Sequence, residues 1–332
     1  AEQPAPATYR PWVRYWWPGQ AVQPDLVARD LDQIRAAGFG GVELQAFDAA
    51  LDPQLRDDPA DPVAITSALQ GAVNNLIAAA TDRGLLVDLT VGSGWPLGGL
   101  HVQPESALTT LMWTERIVEG PARLEIDELR PEPSVFYRVA DIAEASFGER
   151  LGRFLPQHAR LLAVWAAPVV GGRRERSPLE VTDTLILAAD RAVDLTRFVS
   201  ERRLAWDVPA GRWAVVAVFA GPNGEYITLT AERGDPLATN PLDARAVSDS
   251  LNVVFDGVVE GAHGVFSDSL ELKADRLFTS DFLEEFERRR GYALGPFILA
   301  AVAQSADSFL LEAGQVRVAP EYELGADDAK VR

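Results

Sequence analysis

The sequence contains no cysteine. That excludes disulfides, thiolate nucleophiles and thiolate metal sites together, although it leaves the redox compartment open. Histidine is scarce as well: His101, His158 and His263 are far apart, and no His-x-x-x-His or similar spacing supports a hydrolytic metal site. Basic residues are outnumbered, with 31 Lys and Arg against 49 Asp and Glu, a formal charge of −18. Such a balance repels phosphate backbones and anionic headgroups, so neither nucleic acid nor a membrane surface is an expected partner. No apolar run reaches the roughly 18 residues that a membrane-spanning helix needs. What remains is ordinary globular usage, 47% hydrophobic and 24% charged over 332 residues, long enough for a sizeable core and more than one domain.

The opening residues, AEQPAPA, read as a flexible lead into the fold. They are what removal of a signal peptide ending in small residues leaves behind, so a periplasmic or secreted protein is expected. From Trp12 on, short aromatic or β-branched runs alternate with helical patterns, the βαβα signature of a parallel sheet. Val13–Trp17 is a strand stopped by Pro18-Gly19; Asp25–Ala37 has helical spacing and ends at Gly38; Gly41–Phe47 is the next strand. Ile65–Arg83 is a second amphipathic helix stopped by Gly84, and Leu85–Val91 is a third strand.

Between about 118 and 235 the helical period disappears. Short strand-like runs take over at Leu161–Trp165, Thr184–Leu187, Leu204–Val208, Trp213–Phe219 and Tyr226–Thr230. Leu242–Val259 is then helical, Gly264–Ser269 resumes the strand role, and Thr279 is placed to cap a Glu- and Arg-rich helix. The expected fold class is α/β: a (β/α)-barrel of which only the first half is present, interrupted by an inserted β-rich domain. The expected division is 1–117 for three βα units, 118–235 for the insertion, and 236–332 for the barrel continuation. A complete barrel needs eight units in about 250 residues, so this sequence reads as a truncated one.

In parallel α/β folds the carboxyl ends of strands carry the site. Those ends hold Trp16 and Trp17; Gln45, Phe47 and Asp48; Asp88 with Gly92-Ser93-Gly94-Trp95-Pro96; and Asp268, Ser269 and Glu271. A desolvated acid at 268 or 271 could protonate a leaving oxygen. Equally, Asp268 could cap the following turn and Glu271 could be solvated; the Asp-x-x-Glu spacing does not choose. Trp16, Trp17 and Trp95 offer the apolar area on which a sugar ring lies, and they also suit a core. The Gly92-x-Gly94 turn is not a phosphate loop, because no Gly-x-Gly-x-x-Gly or Gly-Lys-Ser/Thr follows. His101 and His263 lie near strand ends, where they could join Asp88 and Asp268 around a metal. A hard cation such as calcium, held by carboxylates, would leave little trace in sequence.

The strings RYWWPGQAV, AAGFGGVELQAF, DLTVGSGWPLGG, VFSDSLEL and FTSDFLEEFERRRGY occur in that order, and LAWDVPAGRW falls in the β insertion. Together they resemble glycoside hydrolase family 106, whose characterised members are α-L-rhamnosidases, over most of residues 9–295. The resemblance implies an inverting hydrolase on a (β/α)-barrel with appended β domains, assisted in some members by calcium and needing no organic cofactor. It makes Glu271 the general acid and groups Asp268 with it at the catalytic centre, as a carboxylate that binds the sugar or supports the acid from behind. Trp16, Trp17, Gln45, Asp88, Ser93, Trp95, His101 and Ser269 become substrate-binding positions. The substrate implied is a terminal rhamnoside of a plant or bacterial glycoside. Inversion also needs a base that activates water; by the resemblance it lies beyond Arg332, in the remaining C-terminal half. Glu285, Glu312 and Glu321 are substitutes without a strand end to hold them. A non-catalytic carbohydrate-binding protein and a metal-dependent sugar isomerase are the alternatives.

Overall fold

A computed structural model of the chain describes residues 5–18, 22–47, 67–132, 158–173, 184–232, 234–256, 261–274, 276–303 and 320–325. Its strands are β1 (Trp12–Pro18), β2 (Gly41–Phe47), β3 (Leu86–Thr90), β4 (Gly98–Gly99), β5 (Thr109–Ile126), β6 (Arg160–Gly172) and β7 (Leu185–Leu187). There follow β8 (Val193–Asp194), β9 (Val199–Ser200), β10 (Arg203–Pro222), β11 (Leu237–Ala238), β12 (Gly264–Phe266), β13 (Leu277–Phe278) and β14 (Tyr322–Leu324). The α-helices are α1 (Pro24–Ala36), α2 (Ser67–Thr81), α3 (Ala244–Val254), α4 (Phe282–Arg290) and α5 (Ile298–Ala303). They make a mixed α/β fold of two compact units: Ala1–Ala107 with Tyr226–Leu272, and Leu108–Glu225 with Lys273–Arg332.

In the first unit β1, β2, β3 and β12 form a sheet in that order, every pairing parallel. Helix α1 starts with Pro24 in its first turn and has Asp25 there and Arg35 in its last, which suits the helix dipole. Gly38, at φ +91°, takes the left-handed turn after it. Val27 and Leu31, four residues apart, are its buried positions. They pack with Leu69, Leu76, Ile77 and Ala80 of α2 against Val42, Leu44 and Ala46 of β2 and Val87 and Leu89 of β3.

Strand side chains alternate, so the positions between those apolar ones face the other way. On that second face β1 presents Trp12, Arg14 and Trp16, β2 Glu43, Gln45 and Phe47, β3 Asp88 and Thr90, and β12 Phe266. The register sets Arg14 beside Glu43, Glu43 beside Asp88, and Asp88 beside Gly264, one row across the sheet. Helix α3 is capped by Asp243, whose carboxylate accepts from the Arg245 and Ala246 amides.

The second unit is built on an eight-stranded sheet, β13-β5-β10-β6-β7-β14, with β8 beside β6 and β9 beside β10. All pairings are antiparallel except that of β14 with β7. The two longest strands, β5 and β10, run together along their whole length. Along β10, Val215, Ala217 and Phe219 enter one core while Ala214, Val216, Val218 and Ala220 enter another on the opposite face. The second of these cores is completed by Ile298, Leu299, Val302 and Ala303 of α5 and by Tyr322.

Several boundaries differ from the sequence reading. The excursion into the β-rich unit runs from 108 to 225, not 118 to 235. Leu204–Val208 and Trp213–Phe219 are one strand, because Pro209-Ala210-Gly211 forms a bulge rather than a turn: residues 209 and 210 oppose Pro121 alone. Tyr226–Thr230 makes only single bridges, to Leu237 and to Trp95, within the first unit. Residues from Lys273 on belong to the β-rich unit instead of continuing the parallel sheet. Thr279 does not cap α4; the cap position is Asp281, and Thr279 contributes only its carbonyl, to the Phe282 amide. Glu321, to which the sequence gives no strand, is buried and directly precedes one, β14. Parts of two expected segments, 65–66 and 257–259, lie outside the described residues.

Leu31 is fully buried, whereas Leu26 on the same helix is 41% exposed. Leu31→Ala should therefore lower stability by about 3 kcal/mol, and Leu26→Ala should change it by less than about 0.5 kcal/mol. Chemical denaturation measures both; similar small effects would contradict the packing of α1.

Candidate active site

Past β12 the chain turns through Ser267–Leu272, and the polar groups of this turn are tied to one another. The Asp268 carboxylate accepts from the Ser269 amide at 2.8 Å. The Ser269 hydroxyl donates to Oε1 of Glu271 at 2.9 Å, and Nε1 of Trp95 donates to Oε2 at 3.1 Å. Glu271 is exposed, yet both its oxygens are held.

Trp95 is delivered by a turn that only glycine allows. Gly94 has φ +73°, and a Cβ there would lie 2.2 Å from the Thr228 carbonyl oxygen. Trp95 and Thr228 exchange backbone hydrogen bonds of 3.1 and 2.7 Å. The Ser93 hydroxyl donates to the Ala46 carbonyl at 3.0 Å and accepts from the Ala231 amide at 2.6 Å. Gln45, fully buried, turns its amide nitrogen to the Ala46 and Gly94 carbonyls. The Ser93 hydroxyl and the Gln45 amide nitrogen thus brace the turn to the end of β2.

Across the same face, Arg14 reaches two carboxylates. Nη1 lies 2.9 Å from Oδ2 of Asp268 and Nη2 lies 2.7 Å from Oε1 of Glu43. Its guanidinium also stands 5.2 Å from the Trp16 ring and 4.8 Å from that of Phe266, within cation–π range. Burial pushes the Glu43 carboxyl above the ordinary carboxylate range; Arg14 pulls it down, while Asp268 and Asp88 add to the upward push. Asp88 pairs with Nδ1 of His263 at 3.0 Å, and the His263 ring lies 5.2 Å from that of Trp12. Trp16, 42% exposed, meets Phe47 edge-on at 4.8 Å.

The structure therefore brings Glu271, Ser269, Asp268 and Trp95 together, with Asp88 and Trp16 on the adjoining sheet face. It separates Trp17, which is 4% exposed and packs in the core against α1 and α2. Consecutive residues of a strand point to opposite sides, so Trp16 and Trp17 do not share a wall. His101 is half-buried and bonds through Nε2 to the Ser250 hydroxyl at 3.1 Å, which in turn meets Thr239 at 2.8 Å. His101 and His263 thus have separate partners, and among the described residues no group of three or more His, Asp and Glu could hold a metal ion. Glu285 lies on α4, paired with Arg288 and Arg289, whose hydrogen bonds bring its carboxyl down to about 2. Asp48 and Glu312 lie outside the described residues.

Sequence reasoning missed Arg14, Glu43 and Phe266. The available signal was the two-residue period: Arg14 lies between Trp12 and Trp16, and Glu43 precedes Gln45 by two, so each shares a face with a singled-out residue.

A carboxyl held in one orientation beside a half-buried indole is suited to proton transfer to a leaving oxygen on a ring that packs against that indole. Glycoside hydrolases use such a group as one of a pair of carboxyls. Residues 3–156 and 166–310 match the profile of glycoside hydrolase family 106, described as alpha-L-rhamnosidase, and the chain belongs to that family. A relative from Formosa agariphila, which carries the provisional name beta-glucuronidase, is 24% identical over 311 residues, 89% of this chain and 25% of the relative. The solved rhamnosidase of Novosphingobium sp. PP1Y is alike in fold, with a TM-score of 0.56 and 17% identity over 89% of this chain and 42% of that one. The chain thus spans a quarter of the curated relative and less than half of the solved rhamnosidase.

Burial holds the His101 imidazole below its ordinary value of 6.5. On acidification the unfolded chain takes up this proton before the folded one, so the stability that goes with burying the neutral imidazole is lost as pH falls below about 6.5. The thermal midpoint should fall more between pH 7 and 5.5 in the parent than in His101→Gln; parallel curves would contradict it.

Proposed function

We propose that the chain carries the acid-bearing part of an inverting α-L-rhamnosidase. The observation that carries this reading is the grip on Glu271, whose two oxygens are held by Ser269 and Trp95 in the turn that follows β12. The four parallel strands in sequential order suit one side of a (β/α)-barrel, in which this polar face would look inward. Glu271 is the proton donor to the glycosidic oxygen. When it is protonated the Ser269 hydroxyl can reverse its role and accept. Asp268 and Asp88 are sugar-binding carboxylates, and Trp16 and Trp95 form the apolar wall. Ser269 and Trp95 orient the acid, while Gln45, Ser93 and His101 support the framework.

Inversion requires a second carboxyl about 6.5–9.5 Å from the acid, with a water between them. We place that base outside residues 1–332, in keeping with the greater length of the relatives. Calcium is a further component of this proposal, for which the described residues supply no ligand set; no step assigned here depends on it.

The name of the Formosa relative raises a glucuronide as the alternative substrate, and the charge of the face argues against one. Glu43, Asp88, Asp268 and Glu271 stand against one guanidinium already shared by Glu43 and Asp268, and His263 is paired with Asp88. A uronate carboxylate would meet net repulsion there, whereas a neutral deoxy-sugar would not.

In the full-length enzyme, Glu271→Gln should lower kcat on an unactivated α-L-rhamnoside by about 10²–10⁴-fold with little change in KM, since it removes the proton and keeps the shape. Unaltered turnover would remove Glu271 from its role. The 332-residue chain alone should release no rhamnose from an aryl rhamnoside, and the full-length enzyme should leave aryl glucuronides intact; turnover in either case would contradict the assignment.

A further inference from the structure

We propose that Arg14 is a positioning residue that fixes the orientation of the Glu271 acid through Asp268. The inference rests on the reading of Glu271 as proton donor. Arg14 sits on β1, two strands away from β3 and three from β12 in the order of the sheet, yet it touches the turn after β12 directly. One arm of its guanidinium holds Oδ2 of Asp268 at 2.9 Å. The other oxygen of Asp268 takes the Ser269 amide at 2.8 Å, and the hydroxyl of that same Ser269 donates to Glu271 at 2.9 Å. A continuous set of polar contacts therefore runs Glu43–Arg14–Asp268–Ser269–Glu271–Trp95.

The guanidinium has three further neighbours besides Asp268. Glu43 meets its second arm, and the Trp16 and Phe266 rings lie within cation–π range. A planar fork with separate donors can serve two carboxylates at once, whereas an ammonium is a single compact charge on a flexible stem. Without the fork, Glu43 and Asp268 would stand close together with no neutralising partner, and Asp268 would swing away. The Ser269 amide would lose its anchor, and the donor to Oε1 of Glu271 would move with it. Since proton transfer needs the acid within hydrogen-bond reach of the leaving oxygen, a small displacement acts on the step that uses the proton.

That dependence separates positioning from ordinary structural support. A dinitrophenolate departs without being protonated, while a simple alcohol must receive a proton as it leaves. In the full-length enzyme Arg14→Met and Arg14→Lys should lower kcat on an alkyl α-L-rhamnoside by about 10–100-fold. On 2,4-dinitrophenyl α-L-rhamnoside the loss should stay within about threefold. Equal losses on both substrates, or none, would overturn the proposal. Should Arg14→Met fail to fold, Arg14→Lys, which keeps a cation between the two carboxylates, is read in the same way. Glu271→Gln measured on the same pair distinguishes the two ideas: if it too lowers both rates equally, the acid assignment itself fails. If Glu271→Gln separates the substrates and the Arg14 variants do not, only the positioning role fails.

Discussion

The two-residue period of β1, β2 and β3 divides every part of the first unit between packing and chemistry. Val13, Tyr15 and Trp17 turn to the helices, as do Val42, Leu44 and Ala46 and then Val87 and Leu89. Arg14, Glu43 and Asp88 are thereby forced onto the opposite face in one row. A parallel strand buried against apolar matter on both sides would be a continuous hydrophobic run. These strands break that run on their second face, where Arg14, Glu43, Gln45, Asp88 and Thr90 stand among the aromatic rings of Trp12, Trp16 and Phe47. Moving any of the three by one residue would place charges in the helix core and leucines or valines in the site.

The polar face then raises an electrostatic difficulty that its neighbours resolve. Burial is the main cause of the upward push on the Glu43 carboxyl, and the Asp268 and Asp88 carboxylates nearby add to it. Arg14 relieves two of them and His263 contacts the third. Glu271 stands apart from these ion pairs and is held by neutral donors, the Ser269 hydroxyl and the Trp95 indole. An acid whose partners are neutral can gain or lose a proton without breaking a salt bridge. The glycine turn at 92–94 and its bracing by Gln45 and Ser93 exist, on this view, to put one indole N–H in place.

Much of this was legible in the residues. The limits of β2 and of α1 follow from clean periodicity, Gly38 and Gly41, and Asp268, Ser269, Glu271 and Trp95 were picked out by their places at strand ends. What was not legible has physical causes. Trp16 and Trp17 look alike in a string of letters, but a strand sends them to opposite sides. Pro209-Ala210-Gly211 has turn composition, yet the long pairing with β5 absorbs it as a bulge. Tyr322–Leu324 looks like part of a polar tail because its partner, Leu185–Leu187, is more than a hundred residues earlier. Arg14 and Glu43 escaped notice because a charge on a strand declares its importance only when its partner across the sheet, or on a distant turn, is known.

The central claim is that this acid serves an inverting attack on a rhamnoside. The anomeric form of the first sugar released by the full-length enzyme tests it most directly. Proton NMR during early hydrolysis of an aryl α-L-rhamnoside should show β-L-rhamnose first, with the α-anomer appearing later by mutarotation. Initial release of α-L-rhamnose would require a nucleophile close to Glu271 and would contradict the account.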